Sequence, residues 1–179
     1  MGSTLDNNIG NDSIDVGAMI SATRFRHLES LIKDAVASGA RLLVGGSSYT
    51  HPSYPSGHYF TPTLLVDVTP SMAIAREELF APICILMLAP SLNAAIEIAN
   101  STPYALGASV FGTNKQDLET VVQEIKAGLV SVNDFGVTYA VGLPFGGVKG
   151  SGYGRFGGEF LATSLRFWMI SRHLISCET

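Results

Sequence analysis

Charge is scarce in this chain. Only 15% of its 179 residues are Asp, Glu, Lys or Arg, the net charge is −4, and the basic residues are scattered. Without a basic patch or stripe there is no electrostatic footprint for nucleic acid or for an acidic membrane surface. Cysteine is nearly absent too. Cys84 and Cys177 stand alone, which excludes a disulfide framework and suits a reducing compartment. The polar opening "MGSTLDNNIGND" lacks the basic and apolar regions of a secretory leader, so the expected location is cytoplasmic. Asp6 stands where N-myristoylation wants Ser or Thr, and "CET" is one residue short of a prenylation box. Apolar runs are short as well: "LRFWMISRHLI" is broken by Arg166 and Arg172, and none is long enough for a membrane span.

Apolar residues, by contrast, are abundant. They make up 46% of the chain and the mean hydropathy is +0.29, richer than a typical soluble domain. The length fits one domain, and the composition implies a large buried or self-associating surface. Residues 1–15 read as a flexible lead. In "TRFRHLESLIKDAVASG", Phe25, Leu28, Leu31, Ile32, Ala35 and Val36 share one helical face, with Gly39 as the stop. "ARLLVGG", "TPTLLVDV" and "ICILMLA" read as strands, the last two buried, which makes Cys84 a packed thiol. Ser91 caps a helix over "LNAAIEIAN", and "ALGASVFG" is the next strand. Asn114, with Asp117 three residues on, opens a helix with Leu118, Val121, Val122 and Ile125 facing inward and Gly128 as its stop; the strand "LVSVND" follows. This alternation predicts an α/β fold with a largely parallel sheet and helices on both faces.

A glycine-dense loop, "LPFGGVKGSGYGRFGGE" (143–159), follows the last of these strands, where ligands bind in open α/β sheets. Gly152, Gly154 and Gly157 spell G-x-G-x-x-G, a dinucleotide signal only between a strand and the start of a helix; here no further β-α-β unit follows. The phosphate-loop pattern also fails, since Gly142 leads to Gly147-Val148 where Gly-Lys is required. Lys149 and Arg155 are expected to tie the loop down. His51 and His58 flank a Pro/Ser/Tyr loop without ligand spacing, so no metal site is expected. Ser30-x-x-Lys33 imitates a β-lactamase motif but lies mid-helix without its companions.

"REELFAPI" (76–83), "ANSTPYALGASVFGTN" (99–114), "KAGLVSVND" (126–134) and "LPFGGVKGSGYGR" (143–155) together resemble successive segments of the NAD(P)-dependent aldehyde dehydrogenases, most of all the fungal aldehyde dehydrogenase-like members. The resemblance runs from about Val16 to Gly158, roughly the final third of a family member. It implies a catalytic-domain fold without the Rossmann domain. The family's nucleophilic cysteine, general-base glutamate and cofactor domain lie upstream of what Val16 matches, and neither cysteine here takes the nucleophile's place. By this resemblance Glu78 and Phe80 match the pair that touches the nicotinamide ribose and ring, a vestige expected to be unused. The segment 133–145 matches the substrate tunnel, with Asp134, Phe135, Val137, Tyr139 and Phe145 as lining candidates.

These points lead to an expected function for a truncated aldehyde dehydrogenase-like protein. It would bind a hydrophobic small molecule against Phe135, Val137, Tyr139 and Phe145. It would use no cofactor and catalyse a non-redox step, an isomerisation or cyclisation, with Asp134, Tyr139 and Glu78 as polar groups. Residues 159–179 diverge from the family and form a candidate oligomerisation element, helix or strand, and a homo-oligomer is expected. Two alternatives stand beside this: a regulatory partner of a full-length aldehyde dehydrogenase, and an inactive fragment of an NAD(P)-dependent aldehyde oxidoreductase. A self-sufficient NAD-dependent dehydrogenase ranks last.

Overall fold

The computed structural model describes residues 15–135, 143–157 and, as backbone, 174–176. Where chain length points to one core, the buried residues gather into two clusters, and the chain divides into two compact units, one up to Leu88 and one from Ala89.

The first unit opens with helix α1 (Phe25–Ala37). Leu28, Leu31, Ile32 and Ala35 are buried at helical spacing, while Val36, expected on the same face, is exposed. Gly39 at φ +107° lets the chain reverse, and the amides of Ser38, Gly39 and Ala40 donate to carbonyls of the last turn. Strands β1 (Arg41–Val44), β2 (Ser48–Tyr49), β3 (Tyr59–Phe60), β4 (Thr63–Val66) and β5 (Ile83–Ile85) follow, with a short 3-10 turn at Ala73–Ala75 before β5. β4 pairs antiparallel with β1 and parallel with β5, while β2 and β3 form a separate antiparallel pair. Phe60 and Leu65 join the α1 face in the core, and the Phe60 ring meets Phe25 edge-on at 5.5 Å.

The second unit holds α2 (Leu92–Asn100), β6 (Tyr104–Ala105), β7 (Gly107–Val110), α3 (Lys115–Glu124), β8 (Leu129–Val132), β9 (Val148–Lys149) and β10 (Leu174–Ser176). Both helices start on the caps read from sequence. Ser91 Oγ accepts from the amide of Ala94, and Asn114 Oδ1 from those of Gln116 and Asp117. Helix α3 stops at Glu124, ahead of Gly128. Asn100 Nδ2 donates to the Glu124 carbonyl, so that helix end is satisfied without a glycine. Central β8 pairs parallel with β7 and β10. The α/β reading therefore stands with mixed sheets: among the described residues, parallel and antiparallel ladders occur side by side. Of residues 159–179, the described stretch, β10, is strand.

Candidate functional site

The glycine loop is a fastened structure. Phe145 and Phe156 exchange both backbone hydrogen bonds, at 2.7 and 2.9 Å, and their rings lie 5.2 Å apart. Between them, β9 pairs antiparallel with β6, Gly150 N donates to the Pro103 carbonyl, and Ser151 Oγ accepts from Ala105 N at 2.8 Å. Lys149 Nζ donates to the carbonyls of Asn100 and Thr102 at the end of α2. Arg155 Nη1 donates to the carbonyls of Gly147 and Gly154. Both cations thus tie the loop down, as the sequence reading expects. Gly152, Gly154 and Gly157 all have positive φ, so the G-x-G-x-x-G spacing here marks backbone that glycine adopts most freely.

Asn100 was not singled out from sequence, yet it joins three elements. Its Oδ1 accepts from Lys126 N at 2.7 Å, its Nδ2 reaches Glu124, and its carbonyl receives Lys149. A polar residue closing an apolar helix just before "STP" is the only sequence signal for it.

At the carboxyl end of β8 the chain turns through Asn133, Asp134 and Phe135. Asn133 sits at φ +53° with Oδ1 accepting from Gly112 N. Ser109 and Ser131, paired in register across β7 and β8, have hydroxyls 2.8 Å apart, and the fully buried Ser131 donates to the Asp134 carbonyl. A carbonyl only accepts, so the Ser131 proton is committed to Asp134 and Ser109 must be the donor to Ser131. Asp134 Oδ1 accepts from Phe135 N, and the Phe135 ring is 84% exposed.

In the first unit, Glu78 and Phe80 lie on the turn before β5. Phe80 is 80% exposed at φ +46°. Arg24 Nη1 donates to the Glu78 carbonyl at 3.1 Å, and Arg76 Nε donates to the Pro70 carbonyl behind the turn.

The sequence-predicted residues therefore fall into two groups. Glu78 and Phe80 share one turn of the first unit, and Asp134, Phe135 and Phe145 belong to the second. Val137 and Tyr139 lie outside the described residues. Among the described residues the ring partner of Phe145 is Phe156, and the two phenylalanines bracket the glycine run. Cys84, expected to be packed, is exposed. It sits in the middle of a three-residue strand, where alternation turns it away from Ile83 and Ile85, both packed on the core. His51 packs among the rings of Tyr49, Tyr54 and Tyr59, and no group of three or more His, Cys, Asp or Glu among the described residues is placed to hold a metal. None of the described helices is long and apolar enough to cross a membrane.

The model of the aldehyde dehydrogenase family matches residues 3–170. An aldehyde dehydrogenase-like protein of Saccharomyces cerevisiae is 55% identical over 148 residues, covering 83% of this chain and 23% of the relative. One from Schizosaccharomyces pombe is 56% identical over 147 residues, covering 82% and 28%. The chain thus spans less than a third of the length of these relatives. Among solved structures, betaine aldehyde dehydrogenase from Staphylococcus aureus, in complex with NAD+, superposes with a TM-score of 0.78 at 32% identity, over 87% of this chain and 30% of that one. Lactaldehyde dehydrogenase from Escherichia coli gives 0.79 at 29% identity, over 88% and 32%.

Proposed function

Because the chain belongs to the aldehyde dehydrogenase family, we propose that its Glu78–Phe80 turn forms the nicotinamide edge of a site that oxidises a small apolar aldehyde with NAD(P). The observation that carries this is Phe80. Its backbone is strained in the left-handed region, and the strained turn presents an exposed aromatic ring beside an exposed carboxylate.

The residues fit one end of a dinucleotide. The Phe80 ring offers a flat apolar face to a planar heterocycle, and the Glu78 carboxylate can accept from sugar hydroxyls. In the glycine loop, donors that a pyrophosphate would call on are already engaged: the amides of Gly150 and Ser151, Lys149 Nζ and Arg155 Nη1 all donate to backbone carbonyls. When bound, the nicotinamide supplies the hydride acceptor. Nucleophilic attack and cradling of the remaining cofactor fall to other parts of an aldehyde dehydrogenase site. In the second unit, Phe135 and Phe145 are the proposed apolar contacts of the substrate, and Asp134 is the polar group fixed at the strand end.

The test is saturation-transfer NMR on the purified chain with nicotinamide mononucleotide and, separately, adenosine monophosphate. Transfer to nicotinamide and ribose protons, lost in Phe80→Ala, is expected, with little transfer to adenine. Equal or absent transfer to both would sink the reading.

A second reading, binding of a hydrophobic small molecule without redox chemistry, is favoured by the exposed Phe135 beside the anchored Asp134. It predicts that an aromatic aldehyde binds with unchanged affinity in the Phe80→Ala variant and that Phe135→Ala abolishes that binding. The exposed Leu43, Val44 and Leu88 favour a self-associating protein under either reading.

A further inference from the structure

Two adjacent glutamates of the Phe80 turn are treated differently by their surroundings. The Glu77 carboxylate receives His27 Nε2 at 2.7 Å and lies 3.7 Å from Arg24 Nη2. The Glu78 side chain is exposed, and its carboxylate has no partner among the described residues; only its main-chain carbonyl is held, by Arg24 Nη1. Arg24 is the N-cap of α1 and His27 lies three residues on, so both side chains leave one face of the helix. One guanidinium therefore grips two successive residues, one through its side chain and one through its main chain.

We propose that Arg24, His27 and Glu77 form a positioning clamp that keeps the Glu78–Phe80 turn in its presenting geometry, with Glu77 spent on holding and Glu78 left to receive. The functional half of this rests on the cofactor-edge reading above. A phenylalanine in the left-handed region relaxes toward the extended or helical regions unless its surroundings hold it. The Glu78 carbonyl begins the peptide two residues before Phe80, so fixing it limits how that relaxation can proceed. Pairs as exposed as these contribute little to global stability, and the consequence of the clamp is local order.

The experiment uses the full chain, labelled with 15N, as wild type and as Arg24→Ala, Arg24→Lys, Glu77→Gln and Glu78→Gln. Backbone order parameters at Glu78, Leu79 and Phe80 should be about 0.85 in wild type and fall below about 0.6 in Arg24→Ala and Glu77→Gln. Thermal midpoints should stay within about 2 °C of wild type. Affinity for nicotinamide mononucleotide should weaken by about fivefold in those two variants. Arg24→Lys, which keeps the charge but loses the two-nitrogen fork that reaches both residues, should fall between. Glu78→Gln should weaken binding and leave the order parameters unchanged. Unchanged order parameters in both Arg24→Ala and Glu77→Gln would overturn the clamp whatever the nucleotide does. A turn that loosens in a chain whose wild type does not bind the mononucleotide would overturn the cofactor-edge reading and, with it, the functional half of the clamp.

Discussion

Lys149 Nζ lies 2.8 Å from the carbonyl oxygen of Asn100, the last residue of α2, while Lys149 itself sits at φ +54° in the glycine loop. A cation at a helix C-terminus meets the negative end of the helix dipole and satisfies carbonyls that have no partner inside the helix. With its second bond to Thr102, this half-buried side chain joins the loop to the rest of its unit. Replacing Lys149 by Met should cost about 1–2 kcal/mol. Limited proteolysis should then cut within 146–157 faster than in wild type. Equal cutting rates would show that Ser151 and Arg155 hold the loop without it.

Gly128 carries a second constraint on the same loop. A side-chain carbon there would collide with the carbonyl of Gly146 and crowd that of Leu106. Neither obstacle is the end of a flexible side chain, so the backbone must move. Gly128→Ala should destabilise by about 2–3 kcal/mol, lowering the thermal midpoint by roughly 5–10 °C. Gly112→Ala, which meets only the Leu118 side chain at ordinary contact distance, is the control expected to shift little.

The same glycine shows where sequence reading reaches and where it stops. The helices were legible because apolar spacing and the caps Ser91 and Asn114 are local signals, and both caps act as read. Gly128 looked like a helix stop because glycine after an apolar helical face usually is one. Its actual role, admitting Gly146, depends on a residue eighteen positions away. The strand β1 was legible as a strand, but Leu42, Leu43 and Val44 are exposed in the first unit; an apolar run says that a face wants cover without saying what covers it. At the site, Lys149 and Arg155 were readable as anchors of a glycine-dense segment. The pairing of Phe145 with Phe156 and the hub at Asn100 were not, since each is a tertiary contact with no period in sequence.

Cys84 tests the alternation argument directly. Its neighbours Ile83 and Ile85 pack against the first core, and the thiol faces the other way. In a Cys177→Ser background, which leaves one thiol, the native protein should react with a thiol-specific reagent to completion without denaturant, at a rate close to that of the unfolded chain. A rate that rises sharply only on unfolding would show that the thiol is covered in the native protein and would overturn the alternation argument.

The buried hydroxyl pair at Ser109 and Ser131 separates stability from positioning. Ser131 is fully buried, and its proton is committed to the Asp134 carbonyl. Ser131→Ala removes both that donation and the acceptor for Ser109, and should cost about 1–2 kcal/mol. Ser109→Ala removes the other side of the shared bond. Because both substitutions delete one interaction, their costs should not add, and the double variant should be more stable than the sum of the singles predicts by about 0.5–1 kcal/mol. Chemical denaturation of the four proteins measures this. If Ser131 also sets the turn, Ser131→Ala should shift the amide resonances of Asp134 and Phe135, while Ser109→Ala, which leaves the Ser131 donation in place, should not. Shifts of equal size in both variants would mean that the pair moves the whole β7–β8 end, and that Asp134 is held by the strand more than by the hydroxyl.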